Sequence, residues 1–369
     1  MLCGYSMDKA SENSMAKRLA FVMKDLYGGG AEKSLLYTAD ELRKRGNQVK
    51  FYIMRDFIEH RIPDGLEVIN LGIHSQFTRA LNNVLIEKWQ ARQLEKAFAT
   101  FNPDIVFSCS ADKITRHVRH PNLYFMIRSD MSSTPMSEEE RRKSYAKAHK
   151  FYDGRQVLAV SKGVRDNLLN KVGVTPSVCK AIYTPYDPQP FRDMAAEPVD
   201  DLPAGEFILS LGSLEQRKRH DRLLRAYKES GVQTPIVILG KGQPEDVTRV
   251  KGLISSLGLE ERVRMMDYRT NPYPYIAAAK FLVSASDAEG LPRALIESLL
   301  LGTPLVSTDC PSGPKEILSH ELQDFLVPLD DDAAMADAIK RMDEQPVVID
   351  ERYITPFLAS TVLPQYEAL

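Results

Sequence analysis

A chain of 369 residues exceeds one ordinary domain and fits two of about 150–190 residues each. With 43% hydrophobic and 27% charged residues, and no run near the ~18 consecutive apolar residues of a spanning helix, it is neither a disordered chain nor a polytopic membrane protein. The net charge of −2 hides a split: residues 1–185 hold 29 Lys+Arg against 20 Asp+Glu, a net +9, and residues 186–369 hold 19 against 30, a net −11. The basic half reads either as a surface for something anionic or as the complement of the acidic half across a cleft.

Residues 1–16 carry no apolar signal core and read as a polar extension, with Met15 an alternative start. Strand and helix then alternate. An apolar strand at 18–23 (RLAFVM) leads through Gly28-Gly29-Gly30 into a helix over 31–45, which Gly46 stops. Further strands are expected at 48–54, 104–109, 123–127, 156–161 and 178–183, with a helix at 162–171. Parallel βαβ units follow from this alternation, so residues 17–185 predict one doubly wound α/β domain. Residues 186–205, rich in proline and without periodicity, read as a linker. Alternation resumes over 206–350, with strands at 207–211, 235–239, 263–267, 281–286, 304–308 and 325–328. Residues 351–369 read as a weakly amphipathic helix that crosses back to the first domain. Two such sheets make a clamshell whose ligands face the strand carboxyl ends. Cys3, Cys109, Cys179 and Cys310 are far apart and form no CxxC pair, which excludes a disulfide framework or a zinc site of that kind.

Chemistry concentrates in 284–302, SASDAEGLPRALIESLLLG. A strand ends, a loop carries Glu289 and Gly290, and Pro292 suits the first position of a helix that Gly302 terminates. Glu297 lies five residues past Pro292, about 7.5 Å along the axis. The helix mouth offers free N–H groups for a phosphate, and the flanking carboxylates, acceptors only, suit sugar hydroxyls. The bland alternative is a solvated pair of acids on a helix shoulder. Asp330-Asp331-Asp332 precedes a helix, where capping accounts for it without a metal.

This segment resembles the Glu-x7-Glu motif of retaining, nucleotide-sugar-dependent glycosyltransferases of the GT-B fold, in the group called family 4. The resemblance extends in order through Gly28-Gly29-Gly30-Ala31-Glu32, the 157–163 strand-to-helix step, 211–218 (LGSLEQRK), 271–275 (NPYPY) and 302–318 (GTPLVSTDCPSGPKEIL). It implies an α/β GT-B architecture of two Rossmann-like domains around a central cleft, the first for the acceptor and the second for a nucleotide-diphosphate sugar, UDP favoured. Carried over residue by residue, Lys218 and Glu289 would be catalytic. Gly29, Gly30, Arg217, Lys218, Glu289, Gly290, Leu291 and Glu297 would bind the donor. The resemblance implies no cofactor, no metal and no nucleic acid. It implies a glycan or lipid-linked acceptor in surface polysaccharide, lipopolysaccharide or capsule synthesis. Separately, Arg116, Arg119, Arg141, Arg142, Lys143, Lys147 and Lys150 make the middle of the first domain basic, which reads either as a peripheral contact with anionic lipid at the cytoplasmic face of a membrane or as a solvated helix balanced by Glu138, Glu139 and Glu140. Two positions depart from the family pattern. Ser213 stands where an arginine is common, and Arg128 stands on the acceptor side where a histidine often faces the reacting sugar. These departures keep open a catalytically silent nucleotide-sugar-binding or scaffold protein of the same fold. A dinucleotide oxidoreductase is disfavoured, because the first turn lacks the G-x-G-x-x-G spacing.

Overall fold

The computed structural model describes residues 16–27, 30–75, 83–132 and 136–369. In the first half lie β1 (Arg18–Met23), β2 (Gln48–Ile53), β3 (Glu67–Asn70), β4 (Ile105–Cys109), β5 (Leu123–Ile127), β6 (Gln156–Ala159) and β7 (Val178–Ala181). They form one sheet in the order β3-β2-β1-β4-β5-β6-β7. The second half contributes β8 (Ile208–Leu211), β9 (Ile236–Leu239), β10 (Val263–Met266), β11 (Phe281–Ser284), β12 (Leu305–Thr308) and β13 (Leu326–Val327), in the order β10-β9-β8-β11-β12-β13. Strand pairs in both sheets are parallel. Every residue of β4 and β5 is buried, because helices cover both faces of a parallel sheet. The two-sheet α/β architecture predicted from the alternation is what the chain adopts.

Topology places the business ends. In each sheet the strand order reverses beside the first strand, between β1 and β4 and between β8 and β11. Loops leaving the carboxyl ends of such neighbours diverge and open a crevice. Residues after β8 and after β11 are therefore brought together although about seventy positions separate them in sequence.

Three local expectations need correction. The 186–205 segment is not featureless: Asp187 caps a helix at Pro188–Ala195, and Phe191 packs edge-on against Tyr273 with ring centroids 5.1 Å apart. Pro188 and Pro190 sit in its first turn, where a missing N–H costs nothing, so they start the helix rather than prevent it, and Pro198 and Pro203 lie beyond it. The 162–171 helix is α-helical only over Lys162–Asp166 and then widens into a π turn at Asn167–Val172. The terminal helix is broken into Glu351–Ile354, a 3₁₀ turn at Thr355–Phe357, and Ala359–Glu367. Its last part packs on the first domain, burying Val362, Leu363 and Tyr366 in the cluster that contains Phe21 and Phe107. Burying three such side chains is worth roughly 9 kcal/mol as an upper figure. Arg45 adds an ion pair to Glu367 at 2.9 Å.

Candidate active site

The loop after β8 ends in a 3₁₀ turn, Gln216–Lys218, and Arg219 at φ 50° leads into the His220–Ser230 helix. This reversal fans four cations over the loop after β11. Lys218 Nζ donates to Glu289 Oε1 at 2.6 Å. Arg217 Nη1 donates to the Ala288 carbonyl at 2.6 Å and stands 3.5 Å from Glu289 Oε1. Arg219 holds Asp221 and Asp287, and Arg222, 1% exposed, holds Asp287 and the Ala285 carbonyl. The basic run is thus a brace for residues 285–289, not a solvated turn.

The helix runs Arg293–Leu300, one residue shorter at each end than predicted: Pro292 is extended and stands at the N-cap rather than in the first turn, and Gly302 at φ 82° follows the C-cap. Glu297 is 6% exposed, and its Oε1 accepts from Arg293 Nη2 at 2.7 Å. Arg293 also donates from Nη1 to the Gly30 carbonyl at 3.0 Å, so this helix touches the first domain at the start of the Gly30–Lys44 helix. Lys33 on that helix stands over the Tyr273 ring. Burial, reinforced by Arg293 and opposed by Glu297, pushes the Lys33 pKa down. A cavity of about 500 Å³ opens among these groups.

Of the predicted residues, Gly30, Lys218, Glu289 and Glu297 line this cavity together. Gly290 and Leu291 do not line it: the cavity meets the loop at Glu289 and again at Pro292. Arg217 is turned to the Ala288 carbonyl and also lies outside the lining. Arg128 does not reach the cavity either, since its guanidinium donates to Ser34 Oγ at 2.6 Å and Thr184 Oγ1 at 3.1 Å. The Arg128 backbone, however, lies against Gly290. Gly28 and Gly29 fall outside the described residues. Ser213, the first departure from the family pattern, does line the cavity. Sequence reading passed over Lys33, Tyr273 and Arg293. Arg293 had a local signal in its four-residue spacing to Glu297 on one helix face, and Tyr273 stands in the NPYPY stretch.

A second cavity, about 530 Å³, lies at the carboxyl ends of β1, β2 and β4 in the first domain. Lys24, Lys147, Asp112 and Phe151 are among its walls. Asp112 accepts from Tyr152 Oη at 2.7 Å, and burial holds its carboxyl above the usual range. Asp331 caps the Asp332–Glu344 helix through the Ala334 N–H at 2.8 Å, and Asp332 pairs with Arg225 at 2.9 Å. Among the described residues no group of three or more His, Cys, Asp or Glu is placed to hold a metal ion. Within the same residues no helix is long and apolar enough to cross a membrane.

Comparison with known proteins yields two family matches in tandem: residues 28–190 match Glycosyltransferase Family 4, and residues 201–354 match Glycosyl transferases group 1. A Campylobacter jejuni N-acetylgalactosamine-N,N'-diacetylbacillosaminyl-diphospho-undecaprenol 4-alpha-N-acetylgalactosaminyltransferase is 35% identical over 188 residues, 51% of this chain and 50% of that protein. The Escherichia coli lipopolysaccharide 1,6-galactosyltransferase is 25% identical over 53% of this chain and 57% of its own length. These matches span about half the length of each relative. Among solved structures, Anabaena HepE in complex with UDP superposes with a TM-score of 0.70 at 19% identity, covering 95% of this chain and 98% of that one. Sucrose-phosphate synthase from Thermosynechococcus elongatus gives 0.74 at 17% identity, covering 95% and 98%.

Proposed function

The chain belongs to the group 1 glycosyltransferases with the GT-B fold, and from that premise we propose that it moves a hexose or N-acetylhexosamine from a UDP-sugar to a lipid-linked or glycan acceptor, with retention of anomeric configuration, in surface polysaccharide synthesis. The observation that carries the reading is the meeting of Lys218, Glu289 and Glu297 around one cavity at the β8–β11 reversal. In this reading the nucleotide diphosphate enters between the Lys218 ammonium and the mouth of the Arg293–Leu300 helix. Lys218 turns from Glu289 to the leaving diphosphate, where a fixed cation counters the growing charge. Glu289 takes a hydroxyl of the transferred sugar. Glu297 takes the ribose hydroxyls, and Arg293 orients its carboxylate. No protein base is required, because the departing phosphate oxygen accepts the acceptor proton on the same face. No cofactor or metal takes part.

The relatives support the acceptor class: one acts on a diphospho-undecaprenol saccharide, another on lipopolysaccharide. The first-domain cavity, with its lysines and buried acid, is the acceptor side in this reading. Peripheral contact with anionic lipid falls to the exposed Arg141, Arg142 and Lys150 of the Glu138–Tyr152 helix, at the cytoplasmic face of the membrane. Arg116 leaves that surface, being bound to Glu87 at 2.6 Å.

Calorimetric titration with UDP, followed by transfer from a panel of UDP-sugars to lipid-linked oligosaccharide extract, tests the proposal. NMR of the product must show the donor's anomeric configuration; an inverted product would overturn the mechanism. One observation favours a silent binder. Ser213 brings no cation to the cavity, while Arg217 and Arg219 are turned onto the β11 loop. UDP binding without UDP release in the presence of acceptor would establish that second reading.

A further inference from the structure

We infer that Glu316 is a positioning residue, clamping the first domain against residues 289–292 so that the Gly290–Leu291 peptide is held in one plane. Its catalytic consequence rests on the donor-site reading above; the contact itself does not.

Glu316 belongs to the second domain, on the short Pro314–Ile317 helix, yet its carboxylate is filled by first-domain donors. Oε2 accepts from the Lys162 N–H at 2.8 Å and from Tyr183 Oη at 2.8 Å, while Oε1 accepts from the Gly163 N–H at 2.7 Å. Three donors on one carboxyl group hold it in one orientation. They fix the segment 161–163, and its first residue completes the link: Ser161 Oγ donates to the Gly290 carbonyl at 3.0 Å while accepting from the Val164 N–H at 3.1 Å. Ser312 Oγ adds a bond to Asp130 Oδ2 at 3.0 Å across the same boundary. There is little slack here, since a Cβ on Gly163 would lie 2.7 Å from the Ser312 Cα.

The Gly290 carbonyl and the Leu291 N–H are one planar unit. A hydrogen bond accepted at the oxygen therefore fixes the orientation of the N–H and polarises it into a better donor. When the halves separate, Ser161 leaves and that peptide is free to rotate. The loop thus senses closure through one serine, and Glu316 sets where that serine stands.

Hydrogen exchange read by mass spectrometry on the full chain separates this role from a local contact. Glu316→Gln is expected to raise exchange about tenfold in peptides covering 161–164 and also in those covering 288–292. Ser161→Ala is expected to raise it at 288–292 while protection at Lys162 and Gly163 persists. For both variants kcat is expected to fall about 10- to 100-fold, the scale of an ångström-level misplacement. The Kd for UDP is expected to stay within threefold. Exchange confined to 161–164 with unchanged kcat would overturn the inference. A wild-type chain that binds no UDP would instead refute the donor-site reading, and the exchange comparison would still decide the contact.

Discussion

Gly290→Ala isolates domain closure from donor binding. A Cβ at this position would sit 2.3 Å from the Arg128 carbonyl oxygen and 3.3 Å from the Ser129 Cα. Ordinary contact begins near 3.4 Å, so the methyl group intrudes on Arg128 by 3.4 − 2.3, about 1.1 Å. The obstacle is backbone at the end of β5, which cannot swing aside as a side chain would. Gly290 is not among the residues with positive φ, so alanine carries no conformational strain and the second domain should fold normally. The clash therefore falls on the closed arrangement alone. Overpacking of this size costs about 1–3 kcal/mol, which lowers the closed population and kcat by roughly 10- to 100-fold. UDP affinity, arising mainly within the second domain, should change less than threefold. Initial rates, calorimetry with UDP and small-angle scattering measure the three quantities separately. A variant with wild-type kcat and an unchanged radius of gyration would show that this close approach plays no part in turnover.

Lys218→Ala should lower kcat about 10²–10³-fold in folded protein, the usual loss for one transition-state donor, and a loss below tenfold would reject its role. Dialysis against EDTA should leave the transfer rate within twofold; restoration of a lost rate by magnesium or manganese would reject the metal-free assignment. His220 is buried, and burial, then Arg249 and Lys218, push its pKa down to about 4 from 6.5. The unfolded chain binds this proton more tightly, so the stability from keeping His220 neutral is present above pH 6.5 and lost as pH falls toward 4. That loss is ~3 kcal/mol over the window, and His220→Gln should flatten the slope of urea midpoints between pH 7 and 4.5. Arg222→Met should destabilise the chain by about 3 kcal/mol in urea, because Asp287 loses its buried partner; a change under 1 kcal/mol would show that Arg219 suffices.

The strands were legible because they are buried on both faces, and glycine and proline mark their ends. Glu289, Glu297 and Lys218 were legible because a helix start fixes the first two, and the family resemblance supplied the third. Residues 55–103 were not. β3 reads EVIN and is exposed or half-buried throughout, so it has neither alternation nor an apolar run. The Val84–Phe101 helix begins with Val84, Leu85 and Trp89 exposed, which blurs the apolar stripe that would have revealed it. At the site, neighbours in the Arg217–Lys218–Arg219 run take different partners: Arg217 and Lys218 lie against Glu289, while Arg219, at φ 50°, turns to Asp287 and Asp221. Lys33, Glu316 and the contact of Arg293 with Gly30 had to await the fold, since each joins groups of the two halves far apart in sequence.

The opposite charges of the two halves invite the thought that simple attraction shuts the clamshell. The contacts argue otherwise. Among the described residues ion pairs run within one half or the other, apart from Arg45 with Glu367, which belongs to the tail already docked on the first domain. The bonds across the cleft are of another kind. Arg293 meets a carbonyl, Ser161 meets a carbonyl, and Glu316 meets two amides and a phenol. Such bonds depend on distance and angle. Closure is therefore set by fit rather than by net charge, and salt should alter it little. Lys24 and Lys147 of the first half face its own cavity, and Arg141 and Arg142 face outward. An anionic acceptor would meet that field, so raising the ionic strength should weaken acceptor KM while leaving the UDP-bound scattering profile unchanged.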